Sequence, residues 1–300
     1  MNVKNVSIYK IVACLTALFI FAFSMNYHSS IAKATNTNRT YCIYEPSTGS
    51  LIDTYELSSL SDYTVNSRQA IGNDDREPDF SKSGVVKLMT NGNFLGTGFV
   101  IDDHIIATAA HCTYNRGSDL VVDIDEILLF DSETEDVELT LLSDEISEVH
   151  IPQIYTTCVD SDQFKYDYAL IYVEENLHDY VMFDLGTTLD NFTDFEHELF
   201  ITGFPSKVKN QTANTYDDHI MYTGSGEVTY IYDETFKTNA DSSGGNSGGP
   251  AYIVTEYNDQ KYYTVIGIVV SEQTGSNPTY NRCNRITTDQ LHFFKNNPYI

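Results

Sequence analysis

The chain has 300 residues and a formal charge of −26. That length builds a sizeable core in one or two compact units. So acidic a surface excludes nucleic acid as a natural partner, because phosphates reward Lys and Arg, and it favours a soluble monomer that resists self-association.

Residues 1–34 read as a secretory signal. Lys4 and Lys10 form a positive start, Ile11 to Phe23 is apolar, and Ala32-Lys33-Ala34 is a small-residue cleavage site ending at Ala34. The apolar run is too short to span a bilayer, so no membrane association is expected once the signal is removed. Ile11-Val12-Ala13-Cys14 has the look of a lipoprotein box, but it would leave no hydrophobic region ahead of the cut. The product is expected to be extracellular, where disulfides are permitted. Residues 35–68 are polar, rich in Thr, Ser, Asn and Tyr, and show no sustained period, as in a propeptide.

From Gly84 onward short apolar runs dominate. They are Gly84–Thr90, Phe94–Ile101, His104–Ala109, Leu120–Phe130, Val137–Ile151 and Tyr168–Val173. Glu198–Thr202, Glu227–Tyr232, Ala251–Glu256, Tyr262–Val270 and Arg282–Ile286 follow. Their many Tyr, Phe, Val, Ile and Thr residues favour strands. Asn-Gly and Asp-Asp pairs mark turns. Only Thr288–Asn296, with Leu291, Phe294 and Lys295, carries a helical pattern. Many short strands predict an all-β sandwich or barrel.

Asp241-Ser242-Ser243-Gly244-Gly245-Asn246-Ser247-Gly248-Gly249-Pro250 breaks that pattern. So much glycine is unfit for a strand or helix interior, and marks sharp turns or close approach of the backbone. Such a loop presents the Ser247 hydroxyl and lets neighbouring N–H groups converge, which suits acyl transfer. Taken alone it reads equally well as an exposed Gly/Ser turn. Two other stretches tip the balance: Thr108-Ala109-Ala110-His111-Cys112 and Tyr166-Asp167-Tyr168-Ala169-Leu170-Ile171. His111, Asp167 and Ser247 stand in the chain order of a chymotrypsin-type triad. Ser247 is then the nucleophile, His111 the base and then the acid, and Asp167 the group that orients the imidazole. The N–H groups of Gly245 and Ser247 would form the oxyanion hole. His104, His150, His178, His197 and His219 lie in polar contexts and read as surface residues. The Gly-x-Ser-x-Gly of an α/β-hydrolase elbow is also present, but Gly248-Gly249-Pro250 is a poor helix start and the triad order differs.

These three motifs resemble the bacterial glutamyl-endopeptidase branch of the chymotrypsin-like serine proteases. Ile71-Gly72-Asn73-Asp74-Asp75-Arg76, Ile201-Thr202-Gly203-Phe204-Pro205 and Val265-Ile266-Gly267-Ile268 support the likeness. The resemblance implies two packed six-stranded antiparallel β-barrels, near residues 84–176 and 191–286, with the site in the cleft between them and a C-terminal helix. It implies a protease domain over residues 69–300, released from a zymogen by a cut between Arg68 and Gln69, by itself or by an activating protease. The new α-amino group would help build the substrate site. Substrates would be proteins or peptides, and no cofactor is called for.

Specificity is expected from Asp241, Ser242, Val269, Val270 and Ser271. Glu-cleaving members carry a histidine where this chain has Val269, and an aliphatic group cannot hydrogen-bond an acid. In the trypsin-like branch an acid at the position of Asp241 accepts Arg or Lys, which would be a charge-assisted pair. The order of expectation is therefore Arg/Lys, then Glu/Asp, then small apolar residues. Of the five cysteines, Cys14 and Cys42 precede the protease domain. Among Cys112, Cys158 and Cys283 at most one pair can form, and Cys112–Cys158 is expected, each lying near a triad residue. No Cys-x-x-Cys suggests a zinc site and no HExxH a metalloprotease. The acidic clusters Asp123–Glu126 and Asp131–Asp136 lack EF-hand spacing. A catalytically silent relative used for binding or adhesion is the alternative.

Overall fold

A computed structural model describes residues 38–58, 76–180, 183–187, 197–206, 220–272 and 280–295. The readings placed on the signal, Ala34, Arg68, Gln69 and residues 71–75 lie outside the described residues.

Almost every apolar run is a strand. In chain order they are β1 (Asn38–Glu45), β2 (Ser50–Ser58), β3 (Glu77–Pro78), β4 (Val85–Thr90), β5 (Asn93–Asp102) and β6 (Ile105–Thr108). Next come β7 (Tyr114–Asn115), β8 (Leu120–Val121), β9 (Glu126–Phe130), β10 (Val137–Leu142) and β11 (Ile146–Pro152). A short helix, α1 (Gln153–Thr157), precedes β12 (Ala169–Val173), β13 (Phe183–Leu185), β14 (Leu199–Gly203) and β15 (Tyr222–Gly226). Then follow β16 (Val228–Ile231), β17 (Thr235–Thr238), β18 (Pro250–Tyr257), β19 (Gln260–Glu272), β20 (Asn281–Arg285) and the helix α2 (Thr288–Lys295).

Local chemistry sets the breaks. The β4–β5 hairpin turns on Asn91 and Gly92, both at positive φ, as the Asn-Gly pair demands. The long run Val137–Ile151 is two strands. Glu145 folds its carboxylate back onto the Leu142 N–H at 2.8 Å and makes a turn between β10 and β11.

The first sheet has the order β10-β9-β4-β5-β6-β12-β11-β1-β2. The second has β16-β17-β20-β19-β18-β14-β15-β3, with β13 added in parallel on β19. Each sheet has nine strands rather than six. The architecture is the mostly β, two-sheet chymotrypsin-like one, closed by the C-terminal helix. Aromatic side chains fill the core: Phe99, Tyr168, Phe204, Tyr252 and Phe293 are fully buried. Phe183 packs edge-on against Phe99 and against Tyr252, so aromatic contacts link the two sheets.

Three expectations need correction. Residues 38–58, read as patternless, form a hairpin whose β1 pairs with β11 through Cys42↔Ile151 and Ile43↔His150. Tyr41, Cys42 and Ile43 are buried in succession, because β1 is an interior strand covered on both faces, and such a strand shows no alternation. His150, read as surface, is fully buried for the same reason. Its ring bonds Glu148 at 2.7 Å, while burial holds its pKa below the ordinary value in spite of that carboxylate. The Cys112–Cys158 bridge is absent: Cys42, Cys112, Cys158 and Cys283 are all free thiols. The Cys112 thiol points to the Ser247 carbonyl at 3.7 Å, and the Cys158 thiol to that of Tyr155 at 3.6 Å.

Candidate active site

The first sheet assembles His111 and Asp167. β6 ends at Thr108, and Ala109 and Ala110, both fully buried, carry the chain into a 3-10 turn over Ala110–Cys112. β12 pairs with β6 in the register Ala169↔Thr108, which brings the residue before Tyr168 alongside the turn. Asp167 then binds His111 twice. Its Oδ1 accepts the His111 backbone N–H at 2.9 Å, and its Oδ2 meets the ring Nδ1 at 2.8 Å. The Asp167 side chain is 3% exposed and the His111 side chain 35%. Burial opposes charge on the imidazole, but Asp167, seconded by Cys112, overrides it and raises the His111 pKa well above the ordinary value. The second ring nitrogen, Nε2, is the one that Asp167 does not hold.

The second sheet contributes the serine loop, held by backbone. Asn246 N–H bonds the Ser243 carbonyl at 3.0 Å, and Gly249 N–H bonds that of Asn246 at 2.9 Å. Gly248 N–H donates to the Val269 carbonyl at 2.7 Å, and Val269 N–H returns a bond to Gly249 at 3.0 Å. Two glycines are obligatory. Gly245 has φ +100, and a Cβ there would stand 2.4 Å from Phe94 Cε1. Gly248 has φ +85 and faces the Thr97 carbonyl and the Thr108 hydroxyl, where a Cβ would fall within 2.2 Å. Among the described residues, the N–H groups of Gly245 and Ser247 donate to no backbone carbonyl. Ser247 itself is half-buried.

Thr97 on β5 joins the halves. It is fully buried. Its N–H bonds the Ser247 carbonyl at 2.8 Å, and its hydroxyl donates to the Gly245 carbonyl at 2.7 Å while accepting the Phe204 N–H at 3.2 Å. On the same strand, Gly96 lies between the Cys112 thiol and the Ser247 carbonyl, and a Cβ would be 2.7 Å from that sulfur. The histidine turn and the serine loop are thus direct neighbours. Sequence reading missed Thr97. Its signal was the Gly96-Thr97-Gly98 triplet, since glycine inside a strand marks close approach of another backbone.

The expected pocket residues scatter. Asp241 and Ser242 are half-buried at the start of the serine loop. Val269 is 2% exposed and packs with Leu199, Ile201 and Phe236, so its side chain belongs to the second sheet's core and its backbone clamps the loop. Val270 is buried against the other core cluster. The backbone of Ser271 continues β19, and its side chain lies outside the described residues. A residue not foreseen there is Arg76, whose Nη1 donates to the Ser243 hydroxyl at 3.0 Å. A Cβ on Gly224 would meet the Arg76 Cγ at 2.9 Å and the Asp241 Cβ at 3.5 Å, so the two residues flank one glycine.

A sequence model described as Trypsin matches residues 71–289. This chain belongs to the Trypsin family. The match spans every residue of the site just described. No curated protein matches this trypsin-family chain. A solved structure of a Glu endopeptidase in complex with MPD is similar to it, with a TM-score of 0.56 and 21% identity over 75% of this chain and 97% of that one. At that identity the likeness establishes the chymotrypsin-like fold.

Proposed function

We propose that this trypsin-family chain is a secreted serine endopeptidase that works through an acyl-enzyme on His111, Asp167 and Ser247. The observation that carries the reading is the doubly bonded His111–Asp167 pair next to a serine on a glycine loop with two uncommitted N–H groups. Ser247 Oγ attacks the peptide carbonyl carbon as His111 Nε2 takes its proton. The carbonyl oxygen gains negative charge against the N–H groups of Gly245 and Ser247; such a donor contributes about 3–4 kcal/mol. The C–N bond breaks as His111 returns the proton to the leaving amine. Water then repeats the sequence and releases the acid. No described hydrogen bond links His111 to Ser247, which is common before substrate closes a site. Synthesis as a zymogen opened between Arg68 and Gln69 belongs to the same reading.

For specificity, the order of expectation stays Arg or Lys on the acyl side of the cut, met at Asp241 in a charge-assisted pair. The second reading is Glu or Asp, and the Arg76 guanidinium, which donates to the Ser243 hydroxyl of the same loop, is the observation that keeps it in view. The test is fluorophosphonate labelling of wild type and Ser247→Ala, followed by a panel of Glu, Asp, Arg, Lys and Leu peptides. Labelling that survives Ser247→Ala overturns the catalytic assignment. Cleavage only after Glu and Asp reverses that order and leaves the triad standing.

A further inference from the structure

Residues 38–58 lie ahead of the segment matched by the family, where a removable propeptide was expected. Their contacts are those of a core element. β1 pairs along the C-terminal half of β11, from Tyr41↔Pro152 to Tyr44↔Val149, and β2 then caps β1. Tyr41 is fully buried, stacked on Phe293 of α2 at 4.4 Å and on Tyr55 at 5.4 Å. Its hydroxyl lies 3.4 Å from that of the buried Tyr168. Cys42 and Ile43 are 3% and 1% exposed.

Arg39 adds a charge link to two other parts of the molecule. Its guanidinium bonds Glu234, in the β16–β17 turn of the second sheet, at 2.6 Å, and lies 3.4 Å from Asp289 in α2. All three side chains are mostly buried. Without Arg39, two carboxylates would share a water-poor site with no cation between them, a strongly unfavourable arrangement. β1 thus ties together the first sheet, the second sheet and the C-terminal helix.

The hairpin also stands behind the catalytic acid and clear of the cleft. Arg39 lies over the Tyr166 ring at 5.8 Å and Tyr41 meets Tyr168, the two residues that flank Asp167. Among the described contacts none joins the hairpin to His111, Asp167, Ser247 or the loop from Asp241 to Pro250.

We propose that residues 38–58 are a permanent part of the working enzyme: a cut between Ser58 and Arg76 yields a two-chain protein whose short chain stays docked on β11, α2 and Glu234, and supports Asp167 from behind. The proposal goes beyond the protease reading and does not need it, since docking can be measured on an inactive chain.

The experiment replaces residues 61–67 by the recognition sequence of a site-specific protease, with and without Ser247→Ala. The purified protein is cut, and intact mass is recorded under native and denaturing conditions after gel filtration. The expected result is two chains when denatured and one particle when native. Cys42 should stay closed to iodoacetamide until denaturant is added, and peptide hydrolysis should be unchanged by the cut. Arg39→Gln should convert this retention into loss of the short chain on the column. A short chain that elutes alone, leaving a folded and active remainder, overturns the proposal. So does a rise in hydrolysis when it leaves, which is the behaviour of an inhibitor. Hydrogen exchange on the unaltered chain gives an independent reading: β1 amides should be protected as strongly as those of β11, and fast exchange confined to β1 and β2 overturns it too.

Discussion

The two sheets supply the candidate site in different ways. The first holds His111 and Asp167 by side-chain chemistry: a register that aligns β6 with β12, two alanines that admit the turn, and two hydrogen bonds from one carboxylate. The second holds Ser247 mainly by backbone, through two glycines at positive φ and the reciprocal bonds to Val269. A charged pair must be fixed against its own solvation, which buried side-chain partners do well. A nucleophile must be exposed, so only the chain beneath it can be fixed.

The comparison breaks most sharply at Ser247. Ser247→Ala is expected to lower kcat by about 10⁶ while leaving thermal stability unchanged, since the hydroxyl makes no described hydrogen bond; steady-state kinetics and a melting curve check both. Asp167→Asn should lower kcat by about 10⁴, because the ring loses its orienting acceptor. It should also move the acid limb of the rate profile. Asp167 raises the His111 pKa, and the base must be neutral to work, so wild-type activity appears only as pH climbs through that raised value. In Asp167→Asn the limb should shift to lower pH. Stability runs the other way. The His111–Asp167 attraction is fully present below the ordinary histidine pKa, about 6.5, and fades as pH rises through the raised one. Melting temperature against pH should therefore fall across that window in wild type and stay flatter in Asp167→Asn. On the serine side, Gly248→Ala forces a Cβ to about 2 Å from the Thr97 carbonyl at a left-handed φ. A stability loss of about 3 kcal/mol is expected from overpacking and strain, together with loss of fluorophosphonate labelling.

These two modes explain what the sequence disclosed. His111 and Asp167 were legible because small residues and apolar runs beside a lone polar group are unusual, and the serine loop because glycine in that density has few uses. The strand runs sufficed for an all-β sandwich or barrel, and the family resemblance of the motifs for the two-sheet arrangement. The contact of Arg76 with Ser243 was not legible, since the two residues stand 167 positions apart. Val269 misled because a position on a strand near the serine was taken to aim its side chain at the cleft, while the bulge between Val269 and Ser271 alters the alternation along β19. The hairpin at residues 38–58 was missed for the reason that makes it stable: β1 is buried on both faces, and only alternation would have marked it. Tyr41→Ala is expected to destabilise the protein by about 3 kcal/mol, measured by denaturant titration, where a dispensable segment would show no change.

Thr97 is where the two modes meet, and it gives the finest test of the comparison. Its hydroxyl reaches from the first sheet to the serine loop, at the Gly245 carbonyl, and it also satisfies the Phe204 N–H. Thr97→Val keeps the shape and the backbone bond to Ser247 but leaves a buried acceptor and a buried donor unpaired, at a cost of about 1–3 kcal/mol. If the serine loop is held by backbone alone, that cost should appear in the melting curve and leave kcat nearly intact. If the Gly245 N–H is aimed by its own peptide neighbours through this hydroxyl, kcat should fall while KM holds, because only the transition state carries charge on the carbonyl oxygen. The second outcome is expected. The Gly245 carbonyl is covalently fixed to the loop that carries the donor, and the Thr97 hydroxyl fixes the plane in which that loop turns. Thr97→Ser, which keeps the hydroxyl and drops only a methyl, should restore kcat.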